Sequence, residues 1–283
     1  MAMARNRLLI LGAGYAAGRI GAALGARGWN VTGVTRDGRE GTLAFGDRAA
    51  VTAAIAAADA VLSSIPPEGD IDPALKVYGV VLAPAPGWLG YLSSTGVYGD
   101  AGGAWVDETA PTGTERRNAR SAADAAWLAR GARVFRLPGI YGPGRSPLDR
   151  VAAGTAHRVE APGQVFSRVH VDDIVSGVIA GLDAPAEAYN LADDYPCAQN
   201  EVIAFAAGLL GRDPPPLVSL DTLSPMARAF YAENRRVANG KAKRLLGWAP
   251  LYADYRLGLR AVRAMTSPAP ASAAPAMARP VQR

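Results

Sequence analysis

The sequence predicts an α/β fold, a doubly wound parallel sheet with a smaller C-terminal lobe, and three observations carry that prediction. Apolar runs of strand length alternate with helical stretches through the first two-thirds of the 283 residues, and such alternation builds a parallel sheet with helices on both faces. The first run, Leu8 to Leu11, has no polar residue to turn toward water, as suits a central strand buried on both sides. It leads directly into a Gly-x-Gly-x-x-Ala turn at Gly12, Gly14 and Ala17, and the residues after the turn read as a helix.

The remaining elements follow in order. Trp29 to Val34 reads as a second strand and Leu43 to Phe45 as a short third, ending in Gly46-Asp47. An alanine-rich helix over 49–58 precedes a fourth strand, Ala60 to Ile65, which Pro66-Pro67 stops. A helix over 72–82, a fifth strand from Trp88 to Ser93, a helix over 115–130 and a sixth strand from Arg133 to Leu137 complete the alternating part. Beyond about residue 140 the pieces shorten. After a Tyr141-Gly142-Pro143-Gly144 turn come a helix near 147–153, a strand from Val165 to Val171 and a helix over 172–182. Helices over 200–211 and 239–246 flank a rigid Pro214-Pro215-Pro216 linker. From Thr266 the chain is Ala, Pro, Ser and Arg without periodicity, the composition of a disordered tail. No internal repeat is visible.

Composition narrows the function. Hydrophobic residues make up 49% of the chain, enough for a sizeable core. The net charge is +5, but the arginines are spread along the chain with no aromatic-interleaved basic patch. The charge therefore reads as solubility plus a phosphate-bearing ligand, not as a nucleic-acid surface. Cys197 is the only cysteine, which excludes an internal disulfide and a cysteine-built zinc site, and with two histidines, His157 and His170, no metal centre is expected. No apolar stretch reaches membrane-spanning length and the N-terminus runs straight into the first strand. The expectation is a cytoplasmic protein without a membrane partner.

The glycine turn carries the chemistry. Gly12 allows the tight turn, Gly14 lacks the Cβ that would hold a pyrophosphate away from the backbone, and the helix presents its free N–H groups to that phosphate. Alanine at Ala17 is the smallest replacement for the glycine that normally packs helix on strand. Tyr15 sits within this Rossmann-type loop, close to the phosphates. About 20 residues on, where an NAD enzyme places a carboxylate, the chain has Thr35 and Arg36. A guanidinium there neutralises a 2′-phosphate, so NADP(H) is expected in preference to NAD(H); a solvated loop charge beside Asp37 is the alternative. The chain then divides into a dinucleotide-binding core over 1–145, mixed segments over 146–265 that return to the core and form a substrate lobe, and the tail over 266–283.

Six motifs in this order resemble the extended short-chain dehydrogenase/reductase superfamily, the NAD-dependent epimerase/dehydratase proteins. They are the glycine turn, Ser93-Ser94-Thr95-Gly96-Val97-Tyr98-Gly99, Asp107-Glu108-Thr109-Ala110-Pro111, the run from Arg136 to Arg145, Val169-His170-Val171-Asp172-Asp173 and Tyr189-Asn190-Leu191. The resemblance implies that Ser94 hydrogen-bonds the reacting carbonyl or hydroxyl, with Thr95 a second candidate; satisfying backbone groups at a turn is the alternative for Ser94. It implies that Asp47 meets adenine, unless it caps the following helix. The loop Ser63, Ser64, Ile65 to Pro66 would pass under the riboses. Arg145 and Arg168 would line the substrate pocket with Tyr141, unless the arginines are surface charges.

One departure is informative. The family's proton-donating tyrosine, with lysine four residues later, falls on Arg116 and Arg120 when Asp124 is the anchor, and no Tyr-x-x-x-Lys occurs between 100 and 135. A guanidinium is a poor proton donor, although Arg120 is still expected to meet either the cofactor ribose or a substrate anion. This loss resembles atypical superfamily members, as does the stretch from Arg244 to Leu259. Tyr98, Tyr141 and Tyr15 are the candidates to replace the missing tyrosine, Tyr98 foremost, with packing or cofactor contact the alternative for each. His170 is expected to be structural, in a segment where Asp172 or Asp173 caps a helix. Two functions follow: an NADP(H)-dependent oxidoreductase or epimerase-like enzyme for a small hydroxyl- or carbonyl-bearing substrate, or a non-catalytic NADP(H)-binding regulator. By analogy the helices at 72–82 and 115–130 would pair two copies as a homodimer.

Overall fold

The first strand shows how the sheet is covered. In β1 (Arg7–Leu11) Leu8 and Ile10 enter one apolar cluster while Leu9 and Leu11 enter another on the opposite face, the two-sided burial of a central strand. The computed structural model describes residues 6–69, 71–83, 87–113 and 118–266. Arg116 and the tail beyond Thr266 lie outside them.

The elements of the alternating half are α1 (Tyr15–Gly25), β2 (Asn30–Thr35), β3 (Leu43–Ala44), α2 (Arg48–Ala57), β4 (Ala60–Ser63), α3 (Pro73–Leu82), β5 (Trp88–Ser94), β6 (Trp105–Val106), α4 (Asn118–Leu128) and β7 (Arg133–Leu137). The later half is β8 (Gly139–Tyr141), α5 (Pro147–Ala152), β9 (Arg158–Glu160), β10 (Arg168–His170), α6 (Val171–Ala180), β11 (Ala188–Asn190), α7 (Gln199–Leu209), β12 (Leu217–Ser219), α8 (Pro225–Phe230), β13 (Arg236–Val237), α9 (Gly240–Leu246) and α10 (Tyr255–Thr266). Seven strands form one parallel sheet in the order β11-β7-β5-β4-β1-β2-β3. The order reverses beside β1, and in such sheets ligands bind at the carboxyl ends of the strands flanking that reversal.

Helix α1 lies close to its strands because Gly21 lacks a side chain. A Cβ there would stand 2.8 Å from Ile10 Cδ1 and 3.2 Å from Val31 Cγ1. The close-packing glycine is thus Gly21, one turn beyond Ala17, which is itself buried in the core. The α1 and α6 helices share one face of the sheet, while α2, α3 and α4 cover the other. A third apolar cluster joins α5, α7 and α10.

Several boundaries move. The third strand ends at Ala44, the fourth at Ser63, and the expected Val165–Val171 strand contracts to Arg168–His170, with Val171 already helical. Gly139–Tyr141, read as leading into a turn, is a strand paired with β10, and Ala188–Asn190 is the seventh strand of the sheet.

Candidate functional site

Two sets of residues meet at the carboxyl edge of the sheet. The first is the glycine turn. Gly12 has φ +87°, and a Cβ there would meet Ile65 Cγ1 at 2.8 Å; Ser64 Oγ donates to Gly12 O. Ser64 and Ile65 therefore hold the turn from beneath. Ser63 is fully buried, and its Oγ has no partner among the described residues. Gly14, by contrast, faces open space: the nearest heavy atom to a Cβ built on it is Gly12 O at 4.0 Å. Gly14 is also the N-cap of α1 and no side chain caps that helix, whereas Asp47 and Asp72 cap α2 and α3. Uncapped N–H groups at the positive end of an 11-residue helix, with room before them, fit a pyrophosphate.

The adenosine side is less committed. Thr35 Oγ1 hydrogen-bonds Thr42 Oγ1 at 2.7 Å and accepts from Gly38 N at 3.1 Å, so this hydroxyl is spent on the turn that follows β2. Arg36 is 93% exposed and stands 3.9 Å from Glu68 Oε1. Asp47 Oδ1 accepts from Ala50 N at 3.0 Å, the capping role that the sequence left as the alternative to an adenine contact.

The second set lines a cleft of about 610 Å³. Ser94 and Thr95 form part of its wall, together with Tyr141, Arg145 and Arg168. Ser94 Oγ accepts from Gly96 N at 3.1 Å, starting the 3-10 turn Thr95–Tyr98. That bond uses a lone pair and leaves the hydroxyl proton for a ligand.

Beneath this turn lies a buried polar network. Tyr98 Oη donates to Asn190 Oδ1 at 2.8 Å and accepts from Arg136 Nη1 at 3.0 Å. Arg136 grips Asp124 through Nε at 3.1 Å and Nη2 at 2.7 Å, and Ser93 Oγ donates to Asp124 Oδ2 at 2.6 Å. Asn190 N donates to Glu108 Oε1 at 2.6 Å. Residues from four of the six sequence motifs thus meet in one set of hydrogen bonds. Tyr98 does not line the cleft, and burial pushes its phenol up to about 12. Its proton is committed to Asn190, which favours the packing alternative, a strut under the Ser94 turn, over a role as the replacement acid. Arg120, on α4, stands one helical turn before Asp124.

Tyr141 lines the cleft, and its buried hydroxyl has no partner among the described residues; a Cβ at Gly258 would collide with that phenol, so the glycine lets α10 close over it. Arg168 is also withdrawn. Its Nη1 donates to Phe166 O at 2.8 Å and its Nη2 to Gln199 Oε1 at 3.0 Å, with further bonds to Cys197. It braces the wall of the cleft. His170 is fully buried, and its Nδ1 accepts from Asp172 N at 3.2 Å. His170 itself caps α6, where Asp172 or Asp173 was expected; the Asp173 carboxylate instead accepts from Leu251 N and Tyr252 N.

Sequence reasoning missed Arg150, Phe166, Phe230 and Arg235 on the cleft wall. Arg235 is bound to Gly99 O and to Glu233 at 2.7 Å, and Phe166 and Phe230 stack at 4.6 Å. Arg150 is exposed, with no carboxylate within ion-pair distance among the described residues. Its spacing from Arg145 gave no periodic signal.

No established family model matches the chain. A solved structure of a functionally unknown conserved protein from Silicibacter pomeroyi is 38% identical, covers 92% of this chain and 99% of that one, and superposes with a TM-score of 0.82. Protein YeeZ of Escherichia coli is 29% identical over 239 residues, 74% of this chain and 86% of YeeZ. The human epimerase family protein SDR39U1, solved with NADPH, is 18% identical with a TM-score of 0.70, covering 91% of this chain and 99% of that one. The chain therefore belongs to one family with the functionally unknown conserved protein of Silicibacter pomeroyi, and it has the Rossmann fold of the NAD-dependent epimerase/dehydratase proteins, the extended short-chain dehydrogenase/reductases.

Proposed function

We propose that this chain is an oxidoreductase or epimerase-like enzyme that uses NADP(H) in preference to NAD(H) on a small substrate bearing a hydroxyl or carbonyl. The carrying observation is that the Ser94 hydroxyl, its proton uncommitted, lines a cleft at the same sheet edge as the uncapped glycine turn. A nicotinamide dinucleotide, when bound, supplies the hydride donor or acceptor. The chain's own residues do the rest. Gly12, Gly14, Tyr15 and the first turn of α1 would hold the pyrophosphate, with Ala17 packing that helix on the core. The Ser63–Ile65 loop would support the riboses, with Arg120 beside them. Ser94, aided by Thr95, donates to the substrate oxygen and fixes its orientation. Arg36, directly after β2, supports the NADP(H) preference.

Because the Tyr98 proton is committed to Asn190 and the Tyr141 hydroxyl is buried, charge on the substrate oxygen is met by the Ser94 hydrogen bond and by cleft cations. The same fact favours a second reading, a regulator that binds NADP(H) without turning it over. Fluorescence titration with NADPH and NADH, followed by NADPH oxidation assays on a panel of ketones, aldehydes and sugars, separates the two. NADPH binding with turnover supports the enzyme; binding without turnover across the panel supports the regulator. No dinucleotide binding would sink both.

A further inference from the structure

The turn between β8 and α5 is built to dock on the start of α1. Gly142 N donates to Arg145 O at 3.2 Å and Arg145 N to Gly142 O at 3.0 Å, closing a tight reversal with Pro143 near its tip. Tyr15, the first residue of α1, donates its phenol proton to Pro143 O at 3.0 Å, and Arg19 Nη2 reaches the same carbonyl at 3.5 Å. A Cβ on Gly142 would stand 2.8 Å from Tyr15 Oη and 2.6 Å from Val171 Cγ1. Glycine is what lets the reversal seat there.

The reversal delivers a cation. The Arg145 guanidinium lies over the Tyr15 ring, 5.9 Å from its centroid, and Arg19 approaches the same ring at 5.1 Å. Arg19 already has Pro143 O and, at 3.9 Å, Asp172. Arg145 is exposed and has no carboxylate within ion-pair distance among the described residues. Tyr15 follows directly on Gly14, the residue that faces open space at the uncapped helix. A guanidinium offers a planar fork of donors that matches phosphate oxygens, and an aromatic face holds it in place.

We infer that Arg145, carried on the Tyr15 ring, is a ligand of the cofactor pyrophosphate and not of the substrate. The inference rests on the dinucleotide reading above and reassigns the residue. It leaves Arg150 as the exposed cleft arginine free for a substrate anion, and it makes one wall of the cleft depend on an occupied glycine turn.

Binding, measured without turnover, tests it. NADPH, ADP-ribose, which keeps the pyrophosphate but lacks nicotinamide, and adenosine, which has no phosphate, are titrated against wild type, Arg145→Ala and Arg145→Lys. Removing a charge-assisted contact should weaken NADPH and ADP-ribose about ten- to a hundredfold and leave adenosine within about twofold, with Arg145→Lys falling between. Tyr15→Phe keeps the platform and should cost less than Tyr15→Leu. Thermal melting checks folding of each variant. Unchanged ADP-ribose binding by Arg145→Ala, or an equal loss on all three probes, would overturn this assignment alone. Failure of wild type to bind NADPH and ADP-ribose would overturn the dinucleotide reading and this assignment with it.

Discussion

The glycine turn and the Ser94 turn occupy the same edge of one sheet and are built on opposite principles. At the glycine turn the backbone is left unfinished: α1 has no side-chain cap, and a Cβ on Gly14 would meet only Gly12 O, at 4.0 Å. Under the Ser94 turn the polar groups of Ser93, Tyr98, Asp124, Arg136 and Asn190 answer one another. Unsatisfied donors point to a missing ligand, whereas a closed network points to stiffness. The first region advertises what it binds. The second holds a hydroxyl in place and discloses little about the chemistry done there.

The comparison can be broken from the rigid side first. Asp124→Ala leaves the Arg136 guanidinium buried without its carboxylate and should cost about 3–5 kcal/mol in urea unfolding; a loss under about 1 kcal/mol would mean that the pair is no strut. Tyr98→Phe removes a donor to Asn190 and an acceptor for Arg136, with an expected cost of about 1–3 kcal/mol. If Tyr98 is structural, the pH profile of any turnover keeps its shape in that variant. On the open side, Gly14→Val should fold with a melting temperature within a few degrees of wild type, since its φ of −87° suits any residue and the space is empty. Dinucleotide affinity should nevertheless drop by about tenfold or more, equivalent to about 1.4 kcal/mol. A variant that binds normally would remove Gly14 from the site. Arg36→Asp should lower the NADPH-to-NADH preference about tenfold by replacing the phosphate's partner with a like charge, and an unchanged ratio refutes the 2′-phosphate assignment. The smallest effect belongs to Glu68→Gln, which frees Arg36 from an exposed pair and should tighten NADPH by a few tenths of a kcal/mol.

The sheet was legible because β1 and β4 are apolar runs and β2, β5 and β7 are rich in branched or aromatic residues, each bounded by glycine, proline or helical stretches. Gly139–Tyr141 and Ala188–Asn190 were not, because three residues are too few to display a period, and their strand character comes from the neighbours they pair with. Site residues divided along the same line. Gly12 and Gly14 have a backbone role that sequence can state: Gly12 has φ +87°, and little stands near a Cβ on Gly14. Asp47 and Ser94 stand where a short polar side chain either caps a turn or meets a ligand, two roles with one sequence appearance. Asp47 caps α2. Ser94 accepts a backbone bond and still has its proton to give. The network under Ser94 was illegible for a different reason: its motifs were visible one by one, but nothing local says that Tyr98 meets Asn190 across 92 residues.

That separation bears on how the chain is made. Asn190 fixes Tyr98 while its own side-chain amide donates to Ala238 O, 48 residues further on. During synthesis the glycine turn has its supporting loop, Ser64 and Ile65, soon after the first strands emerge. The Ser94 turn must wait until residue 238 has left the ribosome before its last support is in place.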